Sequence, residues 1–145
     1  MLSANGTLAQ RVAPLFGAGY VFIGVLGFFF TGFGSFVQDT PDAILGFSIN
    51  PFHNLVHFTI GAYLLLMSRQ RPDVAEGAIV GVGLFYVVAT VIGVASPHSL
   101  SIISMSGRGD LENLNHIVNG TALTTIGVLS WIQSQSSARR AGAAA

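Results

Sequence analysis

Three observations predict an all-α integral membrane fold of four transmembrane helices, arranged as two tandem helical hairpins. The 145-residue chain is 51% hydrophobic and only 8% charged, against roughly one quarter charged in soluble domains. A soluble domain of this size could not cover its surface with so few charges. Four apolar stretches approach the roughly 20 residues that cross a bilayer. A short polar element also recurs at the start of the second and fourth of them.

The helices are expected at about 12–33, 49–67, 74–95 and 111–132, within one domain spanning 1–135, and 136–145 reads as a flexible basic tail. The first segment follows Arg11 and is longer than the 7–15 apolar residues of a signal peptide, with no A-x-A-like site after it, so it reads as a retained helix. Asn50-Pro51 reads as an N-cap followed by proline at the first helical position, where a missing N–H costs nothing. Asp110 suits a cap for helix four, with Glu112 in its first turn where the helix dipole favours an anion. Gly24, Gly27, Gly77, Gly81 and Gly83 are expected to let helices approach closely, Gly77-x-x-x-Gly81 in the small-xxx-small pattern.

Lysine is absent, so arginines alone report orientation. Arg11, Arg69, Arg71, Arg139 and Arg140 fall on one side of a four-helix topology and only Arg108 on the other, which puts both termini in the cytoplasm. A net charge of zero argues against a nucleic-acid partner. Without cysteine there is no disulfide framework, zinc ribbon or thiolate nucleophile. No serine–histidine–aspartate order, phosphate loop or nucleotide fingerprint is present, so no enzyme is expected.

The recurring element is Asn54-Leu55-x-His57-x-x-x-Gly61 in helix two and Asn113-Leu114-x-His116-x-x-x-Gly120 in helix four. One gapless offset relates the copies and also pairs Val21 with Val80, Gly24 with Gly83 and Leu64 with Leu123. Two halves of equal topology imply a pseudo-twofold axis along the membrane normal. His57 and His116 then lie at equal depth, about 10 Å along their helices.

The paired N-x-x-H-x-x-x-G elements in a small four-helix chain resemble a bacterial membrane family known only as a domain of unknown function. The resemblance runs from Val12 to Ile132 and carries Asn54, His57 and Gly61 in one half, Asn113, His116 and Gly120 in the other. It implies a four-helix fold in a bacterial cytoplasmic membrane, or an intracytoplasmic or thylakoid-type one, and no activity.

Three readings of the histidines follow. In the first, Asn54, His57, Asn113 and His116 form a polar clasp that hydrogen-bonds between the hairpins. In the second, His53 and His57 at i and i+4, with Glu112 and His116 at the same spacing, make a three-histidine, one-carboxylate site for zinc, iron or manganese. In the third, His57 and His116 ligate haem or chlorophyll, with Gly61 and Gly120 leaving space for a flat macrocycle and Phe22, Phe28, Phe29, Phe30, Phe58, Phe85 and Tyr86 as walls. His98 reads as a solvated loop residue. The function expected is a small non-enzymatic membrane protein, an accessory subunit of a larger membrane complex or a homo-oligomer, with its specific chemistry in the outer polar cluster.

Overall fold

The computed structural model describes residues 6–143 apart from 97 and 106. Four helices dominate it: α1 (Leu8–Thr31), α2 (Pro51–Met67), α3 (Pro72–Ala95) and α4 (Leu111–Ala143). α1 and α3 are long and apolar enough to cross a membrane. α2 has 17 residues, about 25 Å of helix. Between α1 and α2 lies a small antiparallel hairpin, β1 (Ala43–Ile44) and β2 (Phe47–Ser48), and a 3-10 turn at Ser101–Ile103 lies between α3 and α4.

Local chemistry explains the helix ends. α1 starts four residues earlier than expected because Thr7 and Gln10 form a capping box. Gln10 N–H donates to Thr7 Oγ1, and Thr7 N–H donates to Gln10 Oε1 at 2.9 Å. Asn50 caps α2 as expected, its Oδ1 accepting from His53 N–H at 2.8 Å, with Pro51 at the first helical position. Asp110 precedes α4, its carboxylate accepting from Gly107 N–H at 2.8 Å and its carbonyl from Asn113 N–H at 3.0 Å.

The far end of α4 differs from expectation. Positions 136–143, expected as a flexible tail, continue the helix to Ala143; positions 144 and 145 lie outside the described residues. No proline interrupts this stretch, and Ser134, Ser136 and Ser137 turn their hydroxyls onto carbonyls three or four residues back. Ser130 and Ser134 also donate to Glu76 of α3, while Ser130 Oγ accepts from Ala9 N–H at 3.0 Å. A buried carboxylate therefore ties α4 to α3 and, through Ser130, to the start of α1.

α1 packs along α2 and α3 along α4, with fewer contacts between the pairs. Each pair is closed by glycine. A Cβ at Gly61 would sit 2.6 Å from Gly17 O and Val21 N, and one at Gly120 would sit 2.9 Å from Gly83 O and Val87 N. The Asn54 carboxamide covers Gly27, and that of Asn113 covers Gly93. The same contacts thus recur 59 positions on for α2 and α4, but 66 positions on for α1 and α3.

That register corrects the gapless alignment. Val21 corresponds to Val87 and not Val80; Gly83 corresponds to Gly17 and not Gly24. Seven residues are two helical turns to within about 20°, so a slip of seven leaves the apolar face unchanged and hydropathy cannot detect it. Gly24, Gly27 and Gly83 do meet a neighbouring helix, whereas nothing lies within 4 Å of a Cβ at Gly77 or Gly81. Among the described residues, the small-xxx-small pair therefore packs no neighbouring helix against its Cα positions.

Alanine substitution should separate the two classes of glycine. Gly61→Ala and Gly120→Ala force main chains apart and are expected to lower stability by about 1–3 kcal/mol or more. Gly77→Ala and Gly81→Ala are expected to be neutral or to stabilise by up to about 1 kcal/mol. Thermal midpoints in mild detergent measure both. Equal losses at all four positions would contradict the packing described.

Candidate metal centre

The Asn50-Pro51 start places His53 in the first turn of α2 and His57 one turn further, on the same face. His116 occupies the matching face of α4. First-turn residues commonly face water, yet His53 is 3% exposed and Glu112 2%. The reason is tertiary: both long connections fold back over the helix ends. Asn50 Nδ2 donates to Gln38 O and to Ile102 O, each at 2.9 Å, tying the α1–α2 connection to the α3–α4 connection. Ser104 Oγ adds a second tie, donating to Asp39 Oδ1 at 3.0 Å and accepting from Thr40 N–H at 3.2 Å. Phe52 N–H donates to Phe36 O at 3.0 Å.

Beneath this cover the three histidines converge. Ring centroids are 4.7 Å apart for His53–His57, 6.1 Å for His53–His116 and 6.5 Å for His57–His116. One nitrogen from each ring lies within 4.8 Å of the others. Both ring nitrogens of His53 and Nδ1 of His116 are buried without a hydrogen-bond partner among the described residues. The main chain at Ser48 and Ile103 approaches the His53 ring but stays outside bonding geometry. Each unpartnered buried polar atom costs about 1–3 kcal/mol. A tetrahedral ion with Zn–N bonds of about 2.0–2.1 Å would hold nitrogens about 3.4 Å apart, so ring movements of about an ångström would close the set.

Tyr20 and Tyr86 complete the cluster. Tyr86 Oη is 3.3 Å from His57 Nδ1 and its ring packs 4.8 Å from His116. Tyr20 stacks on His57 at 5.7 Å and donates to Asn119 Oδ1 at 3.3 Å. In the α1/α3 register these tyrosines are equivalent, 66 positions apart. The gapless offset hid that pairing, and it was the one signal that could have singled them out. A cavity of about 440 Å³ opens on the α1 and α4 side of the histidines, and one of about 340 Å³ on the α2 and α3 side.

Other expectations are corrected. Glu112 lines the larger cavity with the histidines, but its carboxylate accepts from Ser48 N–H and holds the β-hairpin on α4. Three of the four proposed metal ligands come together, and the fourth is engaged elsewhere. The asparagines do not clasp across hairpins. Asn54 Nδ2 donates to Thr31 Oγ1 at 2.9 Å, and Asn113 Nδ2 to Gly107 O and Arg108 O at 3.0 and 3.3 Å. Both serve their own hairpin; of the four clasp residues, the two histidines are the ones whose rings meet across the pair.

The macrocycle space is also filled, because helix main chains lie against Gly61 and Gly120. Of the aromatic walls only Tyr86 is buried; Phe22, Phe29, Phe30, Phe58 and Phe85 are exposed on the outside of the bundle. His98 is exposed in its connection, as expected.

Fold and site together define a four-helix protein with two apolar, span-length helices and a buried three-histidine, two-tyrosine cluster closed by paired loops. The chain belongs to the family described as Domain of unknown function (DUF4383), whose family model matches residues 10–129, in agreement with the resemblance carried by the two N-x-x-H-x-x-x-G elements. No curated protein and no solved structure matches it.

The cover over the cluster hangs on Asn50. Asn50→Ala removes a helix cap worth about 0.5–2 kcal/mol and leaves two loop carbonyls without their donor. A fall in thermal midpoint is expected, together with faster hydrogen exchange at residues 36–40 and 101–104. Unchanged exchange in the second segment would show that Asn50 does not join the loops.

Proposed function

We propose that this is a four-span integral membrane protein that binds one divalent transition-metal ion through His53, His57 and His116 beneath its outer loops. The observation that carries the metal reading is three buried imidazoles with ligand atoms within 4.8 Å of one another and three ring nitrogens without partners. The unpartnered ring nitrogens of His53 and His116 find no bonding partner among the described residues, whereas a cation takes a lone pair from each of the three imidazoles at once. An all-nitrogen set suits zinc, iron, copper or nickel, and the loss of Glu112 from the set disfavours manganese. Three protein ligands leave a fourth position open to an exchangeable ligand.

The membrane reading has support on all four helices, whose outward side chains include Phe22, Phe29, Leu66, Val88, Val91, Leu114, Val118 and Leu129. The short α2 is matched by bilayer thinning or tilt at modest cost. Recurrent glycine and asparagine contacts favour two tandem hairpins about a pseudo-twofold axis, with seven more residues between equivalent contacts in the first hairpin than in the second. Arginine placement favours cytoplasmic termini, with the histidine cluster near the opposite face. In this setting the protein acts as a non-enzymatic partner within the bacterial membrane.

Elemental analysis of the protein purified in mild detergent is expected to give one equivalent of metal after exposure to Zn²⁺. His53→Ala, His57→Ala and His116→Ala should each lower that ratio, while Glu112→Gln leaves it unchanged. Saturation at about 100 times Kd stabilises by about 2.7 kcal/mol, read as a higher thermal midpoint. Neither uptake nor thermal shift with zinc, iron, copper or nickel sinks the metal reading.

Orientation has its own test, since the chain contains no cysteine. A membrane-impermeant maleimide is expected to label Ser99→Cys, and not Gln70→Cys, in intact spheroplasts. Labelling at both positions would rule out the four-span topology.

A further inference from the structure

The hairpins pack less closely against each other than within themselves, and each seam between them holds a cavity that reaches the histidines. The pseudo-twofold makes these cavities counterparts, yet their linings differ in chemistry. In the register of the packing contacts, Gly19 corresponds to Phe85, Asn115 to Val56 and Asn119 to Ile60. Phe85 and Val56 line the α2–α3 cavity, whereas Gly19, Asn115 and Asn119 line the α1–α4 one. The α1–α4 seam therefore has room and amides where its counterpart has hydrocarbon.

The same cavity has an open side and a polar end. Leu15, Gly19 and Ile23 form one stripe of α1 at four-residue spacing. All three line the cavity, and Leu15 and Ile23 are also exposed on the outside of the bundle. Gly19 is the gap in the stripe, with nothing within 4 Å of a Cβ built there. The cavity thus opens sideways through a break one residue wide, and it ends inward on His53, His116 and Glu112. Its volume of about 440 Å³ is ordinary for a small-molecule site.

We propose that this α1–α4 cavity binds an uncharged, single-chain lipid alcohol, which enters from the bilayer and sets its hydroxyl against His53 and His116. The buried, unpartnered nitrogens of those rings require a head of this kind. A neutral imidazole offers one N–H and one lone pair, and a hydroxyl both donates and accepts. An ion takes one nitrogen from each ring, which still leaves the second nitrogen of His53 without a partner and a fourth metal position open. Charge narrows the choice further. The Glu112 carboxylate lines the cavity and no arginine does, so an anionic head meets repulsion without a compensating cation. An ammonium head only donates and leaves the imidazole N–H unanswered. The route of entry rests on the membrane reading; the ion is not required.

The experiment places the metal-free full chain in phosphatidylcholine nanodiscs with a dodecanol that carries a diazirine beside its hydroxyl. Irradiation and peptide mass spectrometry then locate the adducts. They are expected at residues of the α1–α4 cavity, suppressed by excess dodecanol but not by dodecane or by dodecanoate at alkaline pH. Gly19→Trp fills the gap and should abolish them. Gly81→Trp, at an equally open glycine of α3, should retain them. His53→Ala should remove the advantage of dodecanol over dodecane.

Wild-type adducts in the α2–α3 cavity, or spread over the outer surface of the helices, overturn the proposal whether or not the variants fold. Equal suppression by dodecane overturns it because the cavity then takes hydrocarbon alone, and equal suppression by dodecanoate because charge then selects nothing. A chain that enters the nanodisc and takes no adduct sinks this proposal alone. A chain that fails to enter removes the membrane reading with it, and zinc uptake, measured separately, decides the metal reading in either case.

Discussion

Main chain meets main chain in this bundle where Gly17 lies against Gly61, Gly24 against Asn54 and Phe58, and Gly83 against Gly120, and the positions of the interior polar groups follow from those contacts. Helices that touch through glycine cannot slide, because any shift drives the next side chain into a facing backbone. The Gly17 contact puts Tyr20 one turn further along α1, level with His57, and the Gly83 contact does the same for Tyr86 and His116. Asn54 and Asn113 then fall on Gly27 and Gly93, the remaining gaps on the same seams. In a membrane, where lipid tails compete equally well for apolar side chains, such close packing carries the association.

The polar cluster sits where the bundle is least self-sufficient. Each hairpin ends in a long connection whose backbone groups need partners, and the two connections find them in each other through Asn50 and Ser104. That union buries the first turns of α2 and α4, and with them His53 and Glu112. The strained turn of the β-hairpin, with Leu45 and Gly46 both at positive φ, belongs to the same closure. A two-residue turn of this hand lets the strands twist correctly and brings Ser48 N–H onto the Glu112 carboxylate. Glu112 thereby becomes a structural anchor at the rim of the histidine site.

The helix ends away from the loops are held differently. Glu76 lies inside the bundle, shared by Ser130 and Ser134, and Ser130 passes the connection on to the free N–H of Ala9 at the start of α1. A carboxylate joined to a helix N-terminus through a hydroxyl is a favourable electrostatic arrangement. It also explains why α4 runs on past the apolar stretch. The molecule thus has a polar tie at each end and glycine seams between.

The amino-acid sequence by itself determined the four helices, the start of α2 at Asn50-Pro51 and the equivalence of Asn54, His57 and Gly61 with Asn113, His116 and Gly120. These signals are local: a cap, a proline and the spacing of polar groups within one helix act over a few residues. His57 and His116 were legible as a pair for that reason. Only the tertiary structure decided which residues surround them. The registers of α1 and α3 against their partners depend on contacts some forty residues distant, and a slip of seven preserves every local pattern. Tyr20 and Tyr86 stayed hidden behind that slip, and the burial of His53 and the engagement of Glu112 followed from loops whose partners lie in the other half of the chain. Helical periodicity records which face is apolar, and close packing alone records which turn meets which.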